Sequence, residues 1–172
     1  MRPRSRAIAI ALVVALTATL ATLGLTLSGC SFAPAAPVES VTTMGGGRSA
    51  ASVTYDGLTL TLTAPVSAIA SSPVAVTAKL ENTSGRAMDL GNALIGVRGF
   101  AESASVDTTT AAFEAGLDAT SSPSVTLPAG GSKSVSLTFT APAQGLYKMR
   151  GVFGSPTRVR GNRTPALTLR VR

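Results

Sequence analysis

From Ser52 onward the chain alternates apolar and polar residues. LTLTLT sets Leu58, Leu60 and Leu62 against Thr59, Thr61 and Thr63. VAVTAKLE does the same with Val74, Val76, Ala78 and Leu80, SVSLTFT with Val135, Leu137 and Phe139, and ALTLRVR with Leu167, Leu169 and Val171. In LYKMRGVF the inward row is Tyr147, Met149 and Phe153. Successive side chains of a β-strand take opposite faces, so each stretch predicts a strand with one packed and one wet face. Ser72-Pro73, Asn82 to Gly85, Pro128 to Gly131, Pro142 to Gly145 and Gly161-Asn162 separate them with turn-forming residues. Short strands at this spacing predict an all-β, antiparallel two-sheet sandwich over 52–172. The segment 101–124 shows no clear period, and TAAFEAGL (Thr110 to Leu117) reads as one turn of helix at most.

The front of the chain obeys different rules. Arg2, Arg4 and Arg6 precede an uncharged run, Ala7 to Leu27, which ends on Ser28, Gly29 and Cys30. A basic start, an apolar run and small residues form the architecture of a signal peptide. Left uncut, the apolar run of about 20 residues would span a bilayer, with the arginines holding its start inside the cell. Either route sends the rest of the chain outside. Cys30 is the only cysteine, so no internal disulfide forms.

Leu27-Ser28-Gly29-Cys30 resembles the lipobox of bacterial lipoproteins. The resemblance implies that the Cys30 thiol carries diacylglycerol and that cleavage makes Cys30 the new N-terminus. The expected organisation is a signal peptide over 1–29, a lipidated linker over 30–51 and a folded domain over 52–172. The linker reading comes from Pro34, Pro37 and the run Gly45-Gly46-Gly47. The expected location is the extracytoplasmic face of the cell membrane, held there by acyl chains.

TLPAGGSKSVSLTFTAPAQGLYKMRGVF resembles the second half of bacterial immunoglobulin-like domains, and VAVTAKLENTSGRAMDLG resembles the first. The resemblance implies an immunoglobulin-like sandwich with Tyr147 at a tyrosine corner, its hydroxyl tied back to nearby backbone. Such domains serve as adhesion modules, assembly domains, spacers and protease inhibitors of the BsuPI type. The likeness therefore implies a fold and no single activity.

Composition narrows the chemistry. Aromatic residues are 4% of the chain, with no Trp, so the core must be aliphatic. Histidine is absent, which removes the commonest general base and metal ligand. Ser132-Lys133-Ser134 opens a strand, where Lys133 reads as solvated rather than as a base. The glycine run at Gly45 lacks the Lys-Ser/Thr pair of a phosphate loop. The eight carboxylates lack calcium-loop spacing. Met88 and Met149 fall on strands and read as core fillers, not copper ligands. The expectation is a non-enzyme without cofactor or metal.

Charge is the uneven feature. Three of the fifteen basic residues lie in the leader, so its removal lowers the net charge from +7 to +4. Eight of the remaining basic residues fall between Lys133 and the end, with no acid after Asp118. Alternation turns Lys148 and Arg150 outward on one strand, and Arg170 and Arg172 outward on the last. The connection between them, GSPTRVRGNRTP, carries Arg158, Arg160 and Arg163. The last two strands of an immunoglobulin-like sandwich are neighbours, so these seven residues are expected to share one basic face. The expected function is a non-catalytic binding or accessory module. Besides the membrane, its expected partners are an envelope protein or an acidic cell-wall polymer. A solvated face that guards an edge strand is the plainer alternative. Two other readings are an envelope protease inhibitor with Ser155 to Pro165 as bait and, more remotely, a metal carrier. An exported chain without an aromatic platform is a poor nucleic-acid binder.

Overall fold

Asp56 and Gly57 both take positive φ, 50° and 69°, the geometry of a two-residue hairpin turn whose twist suits the flanking strands. That turn joins β2 (Arg48–Tyr55) to β3 (Leu58–Pro65). The computed structural model describes residues 36–103, 110–117, 124–157 and 162–172. Ahead of β2 lies β1 (Val38–Met44); after β3 come β4 (Ser67–Ala68), β5 (Pro73–Asn82), β6 (Met88–Asn92) and β7 (Leu94–Ala101). The chain continues with β8 (Phe113–Ala115), β9 (Ser124–Leu127), β10 (Ser132–Thr140), β11 (Gly145–Gly154), β12 (Asn162–Arg163) and β13 (Leu167–Val171).

One sheet runs β1-β2-β3-β5-β10, and a second runs β4-β13-β11-β7-β8 with β12 paired to β11. A small third sheet joins β6 to β9. Every pairing is antiparallel except β4 with β13. The grouping of β3, β5 and β10 against β7, β11 and β13 is the A, B, E against C, F, G division of immunoglobulin sandwiches. The fold is therefore an all-β, immunoglobulin-like sandwich. Its interior is aliphatic: Leu58, Leu60, Leu62 and Leu80 of the first sheet and Val97, Met149 and Leu169 of the second are fully buried.

Three aromatic residues, Phe113, Phe139 and Tyr147, form a cluster. Phe113 stacks on Phe139 with centroids 4.0 Å apart and 9° between planes, and it meets Tyr147 edge-on at 6.2 Å. Gly99, opposite Phe113 in the β7–β8 pairing, has no side chain where the Phe113 ring lies. Tyr147 Oη donates to the Ala143 carbonyl at 2.8 Å, which is the tyrosine corner expected from the sequence.

Two expectations need correction. The stretch 38–51, read as linker, is β1 and the first half of β2, with Gly45, Gly46 and Gly47 as the hairpin turn between them. The compact unit accordingly covers Ala35–Arg172 rather than 52–172. TAAFEAGL is not helical: its centre is β8, whose Phe113 enters the core. The signal peptide and Cys30 lie outside the described residues.

Candidate binding surface

The outward face of the second sheet is built row by row from its register. Thr168, Lys148 and Phe100 stand side by side on β13, β11 and β7. Arg150, Arg98 and Glu114 form the next row, on β11, β7 and β8. Arg163 lies beside Val152 on β12 and β11, and Arg170 lies beside Leu146 on β13 and β11. The period-two pattern fixes these orientations, since Tyr147, Met149, Gly151 and Phe153 between them are all buried.

The five described members of the expected basic set differ in environment. Lys148 Nζ is 3.0 Å from Glu102 Oε1 and also donates to Thr168 Oγ1 at 3.0 Å, so its charge is already matched. Arg150 faces Arg98 directly across the β7–β11 pairing, a like-charge contact that disfavours the pairing. Arg98 is held by Glu114, Nη2 to Oε2 at 3.0 Å. Arg150 Nε is buried and has no hydrogen-bond partner among the described residues. Arg163, Arg170 and Arg172 are exposed and have no carboxylate in ion-pair range among the described residues. Arg158 and Arg160 lie outside the described residues.

Arg170 and Arg172 border an open groove of about 470 Å³ at the edge of this sheet. Val41, Val66 and Leu146 give it apolar walls, and Ser67 and Thr168 line it between the cations. The groove depends on the β1–β2 hairpin, since Val41 lies on β1, and sequence reading had placed that residue in the linker. Glu102 and Glu114, which neutralise part of the face, were also missed. Both sit in the stretch with no readable period, so nothing in the sequence places them beside Lys148 and Arg98.

Met149 is fully buried and Met88 packs against the core. At the bait segment, Ser155 Oγ donates to the Leu90 carbonyl at 2.7 Å and Thr157 Oγ1 to the Asp89 carbonyl at 3.0 Å. At its far end, Asn162 and Arg163 are paired to β11. Both ends of that segment are thus fixed to the sandwich.

No family model matches the chain, and no curated protein matches it. Solved structures resemble it only distantly. The CARDB domain of a Pyrococcus furiosus protein aligns at 13% identity and TM-score 0.44, over 67% of this chain and 94% of that one. An alkylpurine DNA glycosylase from Pseudomonas fluorescens aligns at 11% identity and TM-score 0.42, over 63% of this chain and 28% of that one. Escherichia coli alpha-2-macroglobulin aligns at 13% identity and TM-score 0.44, over 73% of this chain and 8% of that one. The strand order described above, not these likenesses, defines the fold.

Proposed function

We propose that this chain is an exported, lipid-anchored, non-catalytic binding module that engages an acidic partner protein beside the membrane. The observation that carries the reading is the groove edge. Arg170 and Arg172 stand there without carboxylate partners among the described residues, next to apolar Val41, Val66 and Leu146. Cations around apolar side chains suit a protein patch with acidic residues about an apolar anchor. A uniformly charged, hydrated polymer would leave the apolar walls unused. The anchor is read from Leu27 to Cys30, whose spacing supplies a thiol for lipid and small residues for cleavage.

Crosslinking in intact cells, followed by mass spectrometry of the captured peptides, tests this reading. The expected result is one dominant acidic protein, lost when Arg170 and Arg172 are changed to Glu. Associations unchanged by that reversal would overturn it, and contacts with polysaccharide alone would replace the protein partner by a polymer. For the anchor, mass spectrometry of the membrane-bound chain should find Cys30 as its N-terminus, carrying acyl chains. A chain that keeps residues 1–29 and bears no lipid would point to an uncleaved span instead.

A further inference from the structure

β1 ends the first sheet, and no described strand pairs with its outer side. All seven of its residues are exposed. Its register with β2 runs from Val38 opposite Thr54 to Met44 opposite Arg48 without a bulge, and VESVTTM contains neither proline nor lysine. Edge strands are usually blunted by such features, because open backbone donors and acceptors are a template for another strand. Seven residues offer about 24 Å of that template. Of the six large apolar side chains exposed on the described surface, three (Val38, Val41 and Met44) belong to this strand.

We propose that β1 pairs antiparallel with β1 of a second copy of this chain, about a two-fold axis through Val41. The strand is self-complementary in that register, and it is the one antiparallel register that pairs all seven residues. Val38 falls opposite the partner's Met44, and Val41 opposite the partner's Val41. Glu39 falls opposite the partner's Thr43, and Ser40 opposite the partner's Thr42. Each exposed apolar residue of the strand therefore meets an apolar residue across the axis. The two Glu39 carboxylates are offset by four residues, about 14 Å along the strands, beyond the screening length of about 8 Å at physiological salt. Two five-stranded sheets become one of ten strands. A single strand pair buries less than the roughly 1,200 Å² of a stable interface, so the dimer is concentration-dependent and favoured where an anchor confines the chain to a surface. The proposal does not depend on the acidic partner.

The test is a cysteine scan of β1 in the full-length chain, one substitution at a time from Val38 to Met44, oxidised in membranes. Unsubstituted chain sets the background from Cys30. Val41→Cys should give the most disulfide-linked dimer, at least about fivefold above background. Val38→Cys mixed with Met44→Cys should crosslink well above either alone, which reports the register. Val41→Lys sets two ammonium groups face to face and should abolish the Val38–Met44 crosslink while leaving the melting temperature unchanged. A flat scan, or a mixture no better than its components, would overturn the proposal. So would a Val38–Met44 crosslink that survives Val41→Lys, or disulfides formed only with other proteins.

Discussion

Asn82 shows how one side chain does work that its sequence context hides. In the sequence it opens Asn-Thr-Ser, a glycosylation sequon; in the fold it is fully buried at the end of β5. Its Nδ2 lies within hydrogen-bond reach of the Arg86, Leu127 and Pro128 carbonyls at 2.8, 3.1 and 2.9 Å. Its Oδ1 accepts from Ser84 N and Ser84 Oγ. One amide thus ties the turn after β5 to the turn before β10. Asn82→Leu strands these groups without partners, and since each buried unpaired group costs about 1–3 kcal/mol, the loss should reach about 3 kcal/mol. Thermal unfolding should register it as a drop of roughly 10 °C. A change under about 1 kcal/mol would mean that the turns close without the amide. Gly99 is a second such position. A Cβ there collides with the Phe113 ring, so Gly99→Ala should push Phe113 off Phe139 and cost about 1–3 kcal/mol as overpacking. Chemical denaturation measures that cost, and Gly99→Ala combined with Phe113→Leu should recover part of it.

The strands legible in the sequence are those whose alternate residues are buried. β3, β5, β11 and β13 bury alternating side chains over most of their length and β10 over its second half, and the period-two stretches coincide with them to within two residues. β1 escaped because both of its faces are wet, so no burial imposes a period. The β2–β3 hairpin was more legible than the boundary at Ser52 allowed, since Asp-Gly between Tyr55 and Leu58 is a strong hairpin signal. β8 is only three residues long and depends on Gly99 for its place. The corrected boundary has a direct test. A chain of 52–172 lacks β1 and half of β2, and Leu62 loses Ala51, its neighbour in the pairing. It should unfold at least about 10 °C below a chain of 35–172 and aggregate through the bared β3 edge. Equal melting temperatures would show that the first hairpin adds nothing to the fold.

For the molecule as a whole, the uneven charge along the chain becomes a mixed face once it folds. Glu102 and Glu114 come from distant sequence to meet Lys148 and Arg98. Exposed pairs of this kind are worth at most about 1 kcal/mol, so Glu102→Gln should hardly change stability. It should tighten binding of an acidic partner a few-fold by freeing Lys148, with the gain fading as salt rises. Titration at two ionic strengths checks this, and tighter binding that persists in high salt would contradict it. The sequence by itself determined the sandwich class, the aliphatic core, the tyrosine corner and the outward turn of Lys148, Arg150, Arg170 and Arg172. The class, the core and the outward turns follow from local alternation and composition, which neighbouring residues carry, and the tyrosine corner from the resemblance of the stretch around Tyr147 to immunoglobulin-like domains. Only the tertiary structure decided which cations are matched by carboxylates, that Val41 joins Arg170 and Arg172 at one groove, and that β1 forms an open edge. These depend on residues far apart in the chain, brought together by strand register, and no local pattern records that register.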